Sequence, residues 1–273
     1  MFSEPMMHRF RSIIIFLTFR CRVGCPTCNV NAQPDAPAGL STEWIEHFLT
    51  PISPARSPGY VIWTGGEPFL AFETLEAGIR IAGNRGYHSE ILTSGDESAL
   101  QPDRLDRLIS AGPFHLRISL DAEHQQIIPM DRIHALVDSA LKHNVPVAFT
   151  LRAIPDAHPD PAEIRDTLIR HHPALRHTGV PLSRLFHVIP TISSPVDVTP
   201  LTESPKSTRS RIHSIVDDPG SCRLGFQDIV IGPDGRLYPC CGLFGLGIDE
   251  MIHAGNALTS VPGTPDELTD ARP

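Results

Sequence analysis

The chain has 273 residues, a mass of 29.9 kDa and 41% hydrophobic residues, enough to bury a sizeable core in one α/β domain with or without a small appendage. Its formal net charge of −8 and the lack of any run rich in lysine or arginine argue against a nucleic-acid partner. The apolar stretch Ile13–Phe19 is too short to span a membrane and is poorly flanked for a signal peptide. We therefore expect a cytoplasmic location, where a reducing environment suits unpaired cysteines.

Apolar runs and helical patterns alternate along residues 13 to 190. The predicted strands are Ile13–Phe19, Tyr60–Trp63, His88–Thr93, Phe114–Ser119, Val145–Leu151 and Arg184–Ile189. The predicted helices are Thr42–Leu49, Leu70–Asn84, Asp103–Ser110, Asp131–Asn144 and Pro161–His171. This alternation predicts an α/β fold with a parallel sheet, which repeated right-handed crossovers curl into a partial (β/α)6 barrel. Ligand sites of such sheets lie at the carboxyl ends of the strands.

Three cysteines follow the first predicted strand, Cys21, Cys25 and Cys28, with the spacing C-x3-C-x2-C. Three thiolates on one short loop can hold three irons of a four-iron cluster and leave the fourth iron open for a ligand. Zinc is an alternative, although structural zinc sites usually have four ligands in paired C-x2-C units. Incidental thiols are a second alternative, whereas a disulfide framework suits a small secreted chain.

The second predicted strand runs into Thr64 and then Gly65, Gly66, Glu67 and Pro68. The two glycines permit a positive φ and a close approach of the backbone to a ligand, and the proline suits the first turn of a helix. The Glu67 carboxylate, or the neighbouring carbonyls, could bind a ligand ammonium group. Taken alone, the segment also fits an ordinary turn between a strand and a helix.

These two motifs, in this order after the first two strands, resemble the radical S-adenosylmethionine (SAM) superfamily over residues 13 to 190. The resemblance implies that a 4Fe-4S cluster on the three cysteines chelates SAM, and that Gly65, Gly66, Glu67 and Pro68 contact the SAM amino group. It also implies reductive cleavage of SAM to a 5′-deoxyadenosyl radical. A protein of the flavodoxin or ferredoxin type is the electron donor that this chemistry implies.

Further SAM contacts are predicted where later strands end. Ser94 follows the third strand, and Ser119 and Asp121 end the fourth, where the resemblance implies contacts with the SAM ribose or carboxylate. Asp121 is alternatively a helix cap. Arg152, after the fifth strand, can clamp the SAM carboxylate in a bidentate pair or form a surface ion pair. His124, at the same edge, is a candidate for substrate contact.

A second group of cysteines, Cys222, Cys240 and Cys241, flanks a predicted β-hairpin over residues 230–238 with a Pro-Asp-Gly turn. The arrangement resembles the start of the SPASM and twitch domains, which hold auxiliary iron–sulfur clusters. We therefore place residues 1–190 in the barrel, 191–260 in a small twitch-like auxiliary region with a hairpin and a helix, and 261–273 in a frayed tail.

Because no cysteine follows Cys241, three alternatives stay open for this second group. It binds a three-thiolate cluster with an open iron, or a cluster completed by Asp249 or His253, or no cluster. In the last case Cys240 or Cys241 could donate hydrogen to a substrate radical.

The predicted function is hydrogen abstraction from a small molecule in natural-product biosynthesis, such as a sugar, nucleoside or aminocyclitol. The compact length and the lack of an N-terminal peptide-recognition domain favour this substrate class. An auxiliary cluster would steer the outcome towards oxidation, sulfur insertion or epimerisation. The alternative within the enzymes is peptide modification. The alternative outside them is an iron–sulfur electron carrier, against which the Gly65–Pro68 segment and the incomplete ligand set argue.

Overall fold

The structure is a computed structural model, and it describes residues 12–25, 28, 30, 32–37, 39–50, 59–101, 103–154, 156–190, 228–235 and 237–238. Within these residues the strands are β1 (Ile13–Phe16), β2 (Tyr60–Thr64), β3 (His88–Thr93), β4 (Phe114–Leu120), β5 (Val147–Ala153), β6 (Phe186–Pro190), β7 (Ile229–Ile231) and β8 (Leu237–Tyr238). They form one sheet in the order β6-β5-β4-β3-β2-β1-β7-β8, in which β1 to β7 pair in parallel and β8 is antiparallel to β7. The sequential order from β1 to β6 is that of a partial barrel, as predicted.

Helices follow the strands as crossover connections. The α-helices are α1 (Thr42–Leu49), α2 (Phe72–Asn84), α3 (Arg104–Ala111), α4 (Ala122–Ile127), α5 (Met130–Lys142), α6 (Pro161–His171) and α7 (Leu182–Leu185), and two 3₁₀ helices span Pro68–Ala71 and Pro173–His177. Ser41 caps α1, since its hydroxyl accepts a hydrogen bond from the Trp44 amide. Among the described helices the longest have 13 residues, and none is long and apolar enough to cross a bilayer.

The two faces of the sheet differ in what covers them. In β4 the residues alternate between buried and half-buried along the whole strand, and β5 does the same for most of its length. The buried set packs against the helices in one continuous core, which includes Ile15, Trp63, Leu116 and Phe149. The half-buried set, with Ser119 on β4 and its partner Thr150 on β5, lies on the opposite face.

Three differences from the predicted elements have physical causes. The short helix α4 is absent from the prediction because six residues carry little periodicity; its start is fixed by Asp121, whose side chain accepts from the His124 amide. The first strand is shorter than predicted. The hairpin forms where expected, but β7 joins the main sheet beside β1, and the Ser12 hydroxyl donates to Asp228 at 2.7 Å across this pair. The domain boundary near residue 190 stays a prediction, because 191–227 lie outside the described residues.

Candidate SAM and iron–sulfur site

The three cysteines lie on a loop that is closed at its base. The Gln33 amide donates to the Phe19 carbonyl at 3.0 Å, and the Cys21 amide donates to the Gln33 carbonyl at 3.1 Å. Arg20 and Gln33 accordingly form a parallel bridge. These bonds hold the two ends of the loop together immediately beyond β1, so the cysteines lie at the carboxyl edge of the sheet, as predicted.

The cysteine side chains are enclosed by apolar neighbours. Cys21 is buried, whereas Cys25 and Cys28 are half-buried and pack against the main core. The Ala32 amide donates to the Cys28 sulfur at 3.4 Å. Burial raises the pKa of the Cys21 thiol to about 11, and burial together with the charge of Asp121 raises the pKa of Cys25 to about 12. Without a metal these groups are therefore neutral thiols at pH 7, and metal binding has to displace their protons.

The glycine segment after β2 packs directly against the chain that leads into the cysteine loop. The Gly66 amide donates to the Thr18 carbonyl at 2.7 Å, and the Glu67 amide donates to the Arg20 carbonyl at 2.8 Å. A Cβ atom on Gly65 would lie 2.3 Å from the Thr18 oxygen, and one on Gly66 would lie 2.2 Å from the Arg20 oxygen. The sequence interpretation expected these glycines to admit a ligand. In the structure they allow close packing against the backbone at the base of the cysteine loop. This packing joins the two motifs into one unit.

Glu67 is fully buried, and its carboxylate is occupied by donors of the protein. Its two oxygens accept hydrogen bonds from the Phe69 amide, the Thr93 hydroxyl, and both the amide and the hydroxyl of Ser94, at 2.6 to 3.1 Å. Burial and the nearby Asp96 carboxylate raise the pKa of Glu67, and the bonds from Ser94 and Thr93 oppose this rise. The carboxylate thus ties the end of β3 to the end of β2.

This geometry changes how two predicted SAM contacts are understood. The Glu67 carboxylate and the Ser94 hydroxyl bind each other, so the contact of this segment with the SAM amino group rests on its backbone carbonyls. Pro68 begins the 3₁₀ helix and is buried. The SAM contacts of Gly65, Gly66, Glu67, Pro68 and Ser94 stay predictions in this form.

Asp121, Glu123 and Arg152 form an ion-pair group at the carboxyl ends of β4 and β5, with Arg152 still inside β5. Two guanidinium nitrogens of Arg152 lie 3.1 and 2.8 Å from Asp121 Oδ2, and one of them lies 3.1 Å from Glu123 Oε2. Burial raises the pKa of Asp121, but the contact with His124 and the charge of Arg152 outweigh it and hold the pKa at about 2. Asp121 caps α4, which is one of the two alternatives given for it, and its contact with SAM stays a prediction. The predicted clamp of Arg152 on the SAM carboxylate stays a prediction.

His124 connects this group to the cysteine loop. Its Nδ1 lies 2.9 Å from Asp121 Oδ1, at an angle unsuited to a directed hydrogen bond, and its Nε2 lies 3.7 Å from Cys25 Sγ. His124 lies at the predicted edge of the sheet, and its contact with substrate stays a prediction. Glu123 is a member of this group that was not among the predicted site residues. The sequence signal for this placement is Asp121 as a helix cap. The capping bond to the third residue of the helix brings His124 back beside the end of β4.

A cavity of about 600 Å³ lies elsewhere in the described part of the chain. It is lined by residues that begin β2, β3 and β4, including Tyr60, His88 and Phe114. It is therefore at the amino edge of the sheet, opposite the cysteine loop. The candidate site is thus identified by its chemistry and not by cavity size.

The donor set fits the cofactors that the sequence motifs imply. Three cysteine sulfurs on one closed loop suit three irons, and an amide hydrogen bond to a sulfur, as from Ala32 to Cys28, is typical of cluster ligands. Arg152 lies at the same edge, where it is paired with Asp121 and Glu123.

The Radical SAM superfamily profile matches residues 15–172, more than half of the chain. The chain belongs to the radical SAM superfamily. Enzymes of this family use a 4Fe-4S cluster and SAM, and this radical SAM protein is accordingly an enzyme of that class.

One relative and two solved structures are similar to this chain over most of its length. The protein named "Putative peptide biosynthesis protein YydG" from Bacillus subtilis (strain 168) is 22% identical over 241 residues, covering 85% of this chain and 69% of the relative. The solved structure of anSMEcpe with AdoMet and the Cp18Cys peptide has a TM-score of 0.54 at 14% identity, over 95% of this chain and 80% of that one. The structure of BtrN with AdoMet and 2-DOIA has a TM-score of 0.53 at 13% identity, over 96% of this chain and 85% of that one. These structures share the fold.

The predicted auxiliary cluster depends on the second group of cysteines. Cys222, Cys240 and Cys241, with Asp249 and His253, lie outside the described residues. Their role in an auxiliary cluster, and the alternative of Cys240 or Cys241 as a hydrogen donor, stay predictions.

Proposed function

We propose that this radical SAM enzyme modifies a peptide by abstracting hydrogen from one of its carbon atoms. The observation that carries the proposal is the 22% identity with YydG across 85% of the chain, because that relative is named for peptide biosynthesis. This favours the peptide alternative over the small-molecule substrate that the sequence interpretation preferred.

The solved structures supply one neighbour for each substrate class. The anSMEcpe structure holds a peptide, which supports the proposal, whereas the BtrN structure holds 2-DOIA, which keeps a small molecule as the second candidate. Their TM-scores of 0.54 and 0.53 are nearly equal. The fold therefore does not separate the two classes, and the sequence relationship decides the order of preference.

The described residues support the chemistry in three ways. Cys21, Cys25 and Cys28 would hold the cluster on a loop that is already closed, and the Gly65–Gly66 backbone fixes its base. When bound, the cluster and SAM supply one-electron reduction and the radical that abstracts hydrogen. Asp121 and Glu123 hold Arg152 in a fixed orientation at the same edge, so this ion-pair group is ordered before a ligand binds.

The half-buried face of the sheet offers the substrate a polar surface. Ser119 and Arg152 point to this face, away from the helices, beside the carboxyl ends of β4 and β5. Both are predicted SAM contacts, so a peptide that reacts with the SAM-derived radical would lie on this face beside them. An auxiliary cluster on Cys222, Cys240 and Cys241, a flavodoxin-type or ferredoxin-type electron donor and a cytoplasmic location belong to the same proposal.

The test combines two substrate classes in one assay. The anaerobically reconstituted enzyme is incubated with SAM and dithionite, with synthetic peptides encoded by short reading frames next to its gene in one arm and with 2-DOIA in the other. We expect a peptide to raise 5′-deoxyadenosine formation and to change in mass in step with it. A rise with 2-DOIA and none with any peptide would reverse the preference.

The control is the Cys25→Ala variant, which lacks one predicted cluster ligand. It should bind fewer irons and form no 5′-deoxyadenosine in either arm. If the native enzyme also forms no 5′-deoxyadenosine, with or without these substrates, the predicted roles of the cysteines are wrong, whatever the substrate class.

A further inference from the structure

Three histidines meet on the helical side of the protein, away from the cysteine loop. His134 lies in α5 and is buried, His171 is the last residue of α6 and is exposed, and His172 follows it and is buried. Consecutive helical residues diverge by about 100° around the axis. His172 has left the helix, with φ −120° and ψ 76°, and this lets its ring come beside those of the other two.

The ligand atoms of this group are close enough to share one metal ion. One ligand nitrogen of each histidine lies within 4.8 Å of the other two. His134 Nδ1 and His172 Nε2 are 3.0 Å apart. In a tetrahedral zinc site with bonds of 2.0–2.1 Å, two nitrogens are separated by about 3.3 Å. The buried pair therefore needs to widen by only a few tenths of an ångström.

The third ligand has the freedom to adapt. The ring of His171 stacks on that of His134 with centroids 3.7 Å apart and an interplanar angle of 13°. Stacked rings point their nitrogens in parallel, so His171 has to turn before it can ligate the same ion. Because this side chain is exposed at the end of α6, it can turn about its own torsions while the buried pair stays in place.

A carboxylate orients the buried pair from behind. Asp138, one turn after His134 in α5, places Oδ1 3.1 Å from His172 Nδ1. A hydrogen on Nδ1 that points to this carboxylate leaves the lone pair on Nε2, which faces His134. The same arrangement of carboxylate, histidine and metal is general in zinc sites.

The protonation state suits a metal as well. Burial and the neighbouring imidazoles lower the pKa of His134, and burial also lowers the pKa of His172. Neutral imidazole is the form that binds metal ions.

The alternative to a metal site is a chain of hydrogen bonds from His134 through His172 to Asp138. Such a chain would explain the buried pair, but it gives no role to the stacked His171.

We propose that His134, His171 and His172 bind a divalent transition-metal ion, with zinc as the best match, and leave the fourth position to water. The ion would bridge α5 and α6, the helices that follow β4 and β5 and so support the strand ends carrying Ser119 and Arg152. Its imidazole ligands suit zinc and other divalent transition metals, whereas the cysteine loop suits iron–sulfur chemistry. The site is thus distinct in both place and ligand type from the one that binds SAM.

The experiment measures zinc in the full-length enzyme after its iron–sulfur content has been reconstituted anaerobically. We expect one tightly bound zinc per chain, with nitrogen neighbours at about 2.0 Å in the X-ray absorption spectrum. Saturation at about 100 times Kd should raise the melting temperature by about 5–10 °C. His171→Gln should abolish both effects, and because this residue is exposed, the variant should keep its fold and its iron. His177→Gln, on the next 3₁₀ helix and also exposed, is the matched control and should behave as the native enzyme.

Two further variants sharpen the test. Asp138→Asn should weaken zinc binding by about 10- to 100-fold, the usual effect of removing a carboxylate behind a ligating histidine. His134→Gln should abolish binding as His171→Gln does. The proposal is overturned if zinc uptake survives in His171→Gln, or if the spectrum shows sulfur neighbours at about 2.3 Å, which would assign the metal to cysteines.

Discussion

Asp121, His124 and Arg152 at the carboxyl edge have a counterpart in Glu90, His115 and Arg117 on the same sheet. In the second group His115 Nε2 lies 2.5 Å from Glu90 Oε2, and Arg117 donates to both carboxylate oxygens at 2.9 and 3.1 Å. Burial raises the pKa of Glu90, but the bonds from His115 and Arg117 outweigh it and hold the pKa at about 2, as for Asp121.

The two groups therefore share a carboxylate, a histidine, an arginine and a lowered carboxylate pKa, and they differ in their place in the sheet. Glu90 and His115 face each other across the middle of β3 and the start of β4, whereas Asp121 follows the end of β4. Only in the group at the strand end does a histidine reach a cysteine of the loop. A perturbed carboxylate is thus a weak indication of function, and its position in the sheet carries the information.

The largest expected difference between the groups is in catalysis. Asp121→Asn removes one carboxylate partner of Arg152 and the charged contact of His124, so we expect 5′-deoxyadenosine formation to fall by roughly 10- to 100-fold. Glu90→Gln is the matched variant and should leave 5′-deoxyadenosine formation and iron per chain unchanged. Equal losses of 5′-deoxyadenosine formation in both variants would mean that position in the sheet does not matter.

The second comparison concerns the stability of the fold, to which the two carboxylates should contribute alike. Both carboxylates have a folded pKa of about 2, below their unfolded values, so each stabilises the fold above pH 4–5 and loses this contribution as the pH falls towards 2. At 1.36 kcal/mol per pKa unit, each contributes about 2–3 kcal/mol at pH 7. Urea unfolding at pH values from 7 to 3 gives the free energy of unfolding. As the pH falls, this free energy should decline less steeply in Asp121→Asn and in Glu90→Gln than in the native chain. An unchanged decline in Glu90→Gln would show that its ion pairs do not stabilise the fold.

The smallest expected effect concerns the cluster potential. His124→Gln removes the imidazole 3.7 Å from Cys25 Sγ, and groups near cluster sulfurs tune the potential, so we expect a shift on the order of tens of millivolts. His115→Gln, which alters the counterpart group, should leave the potential unchanged in the same redox titration. A shift of the same size in both would indicate a general charge effect instead of the specific contact.

The fold was predictable from sequence where local patterns carried the information. The cysteine run and the Gly65–Pro68 segment fixed the edge of the sheet at which the site lies, because each follows a recognisable apolar strand. Other features depend on pairing between distant residues. The burial of Glu67 requires Thr93 and Ser94, on a strand 26 and 27 residues later, to end beside it.

The addition of β7 to the sheet is a still more distant event, since Ser12 and Asp228 are separated by 216 residues. The histidine group likewise joins His134 to a residue 38 positions later at the end of another helix. No local periodicity reports such contacts, and the scattered histidines of the sequence gave no indication that three of them converge.

The closed base of the cysteine loop has a consequence for how the cluster is acquired. A loop whose ends are already bonded, from Phe19 and Cys21 to Gln33, has lost the entropy of bringing its ends together before any iron binds. The affinity of the thiols for iron is then not reduced by this closure, whereas small metal-binding domains that fold only on binding lose affinity to the ordering of their chain. Folding of the barrel therefore does not have to wait for the cluster.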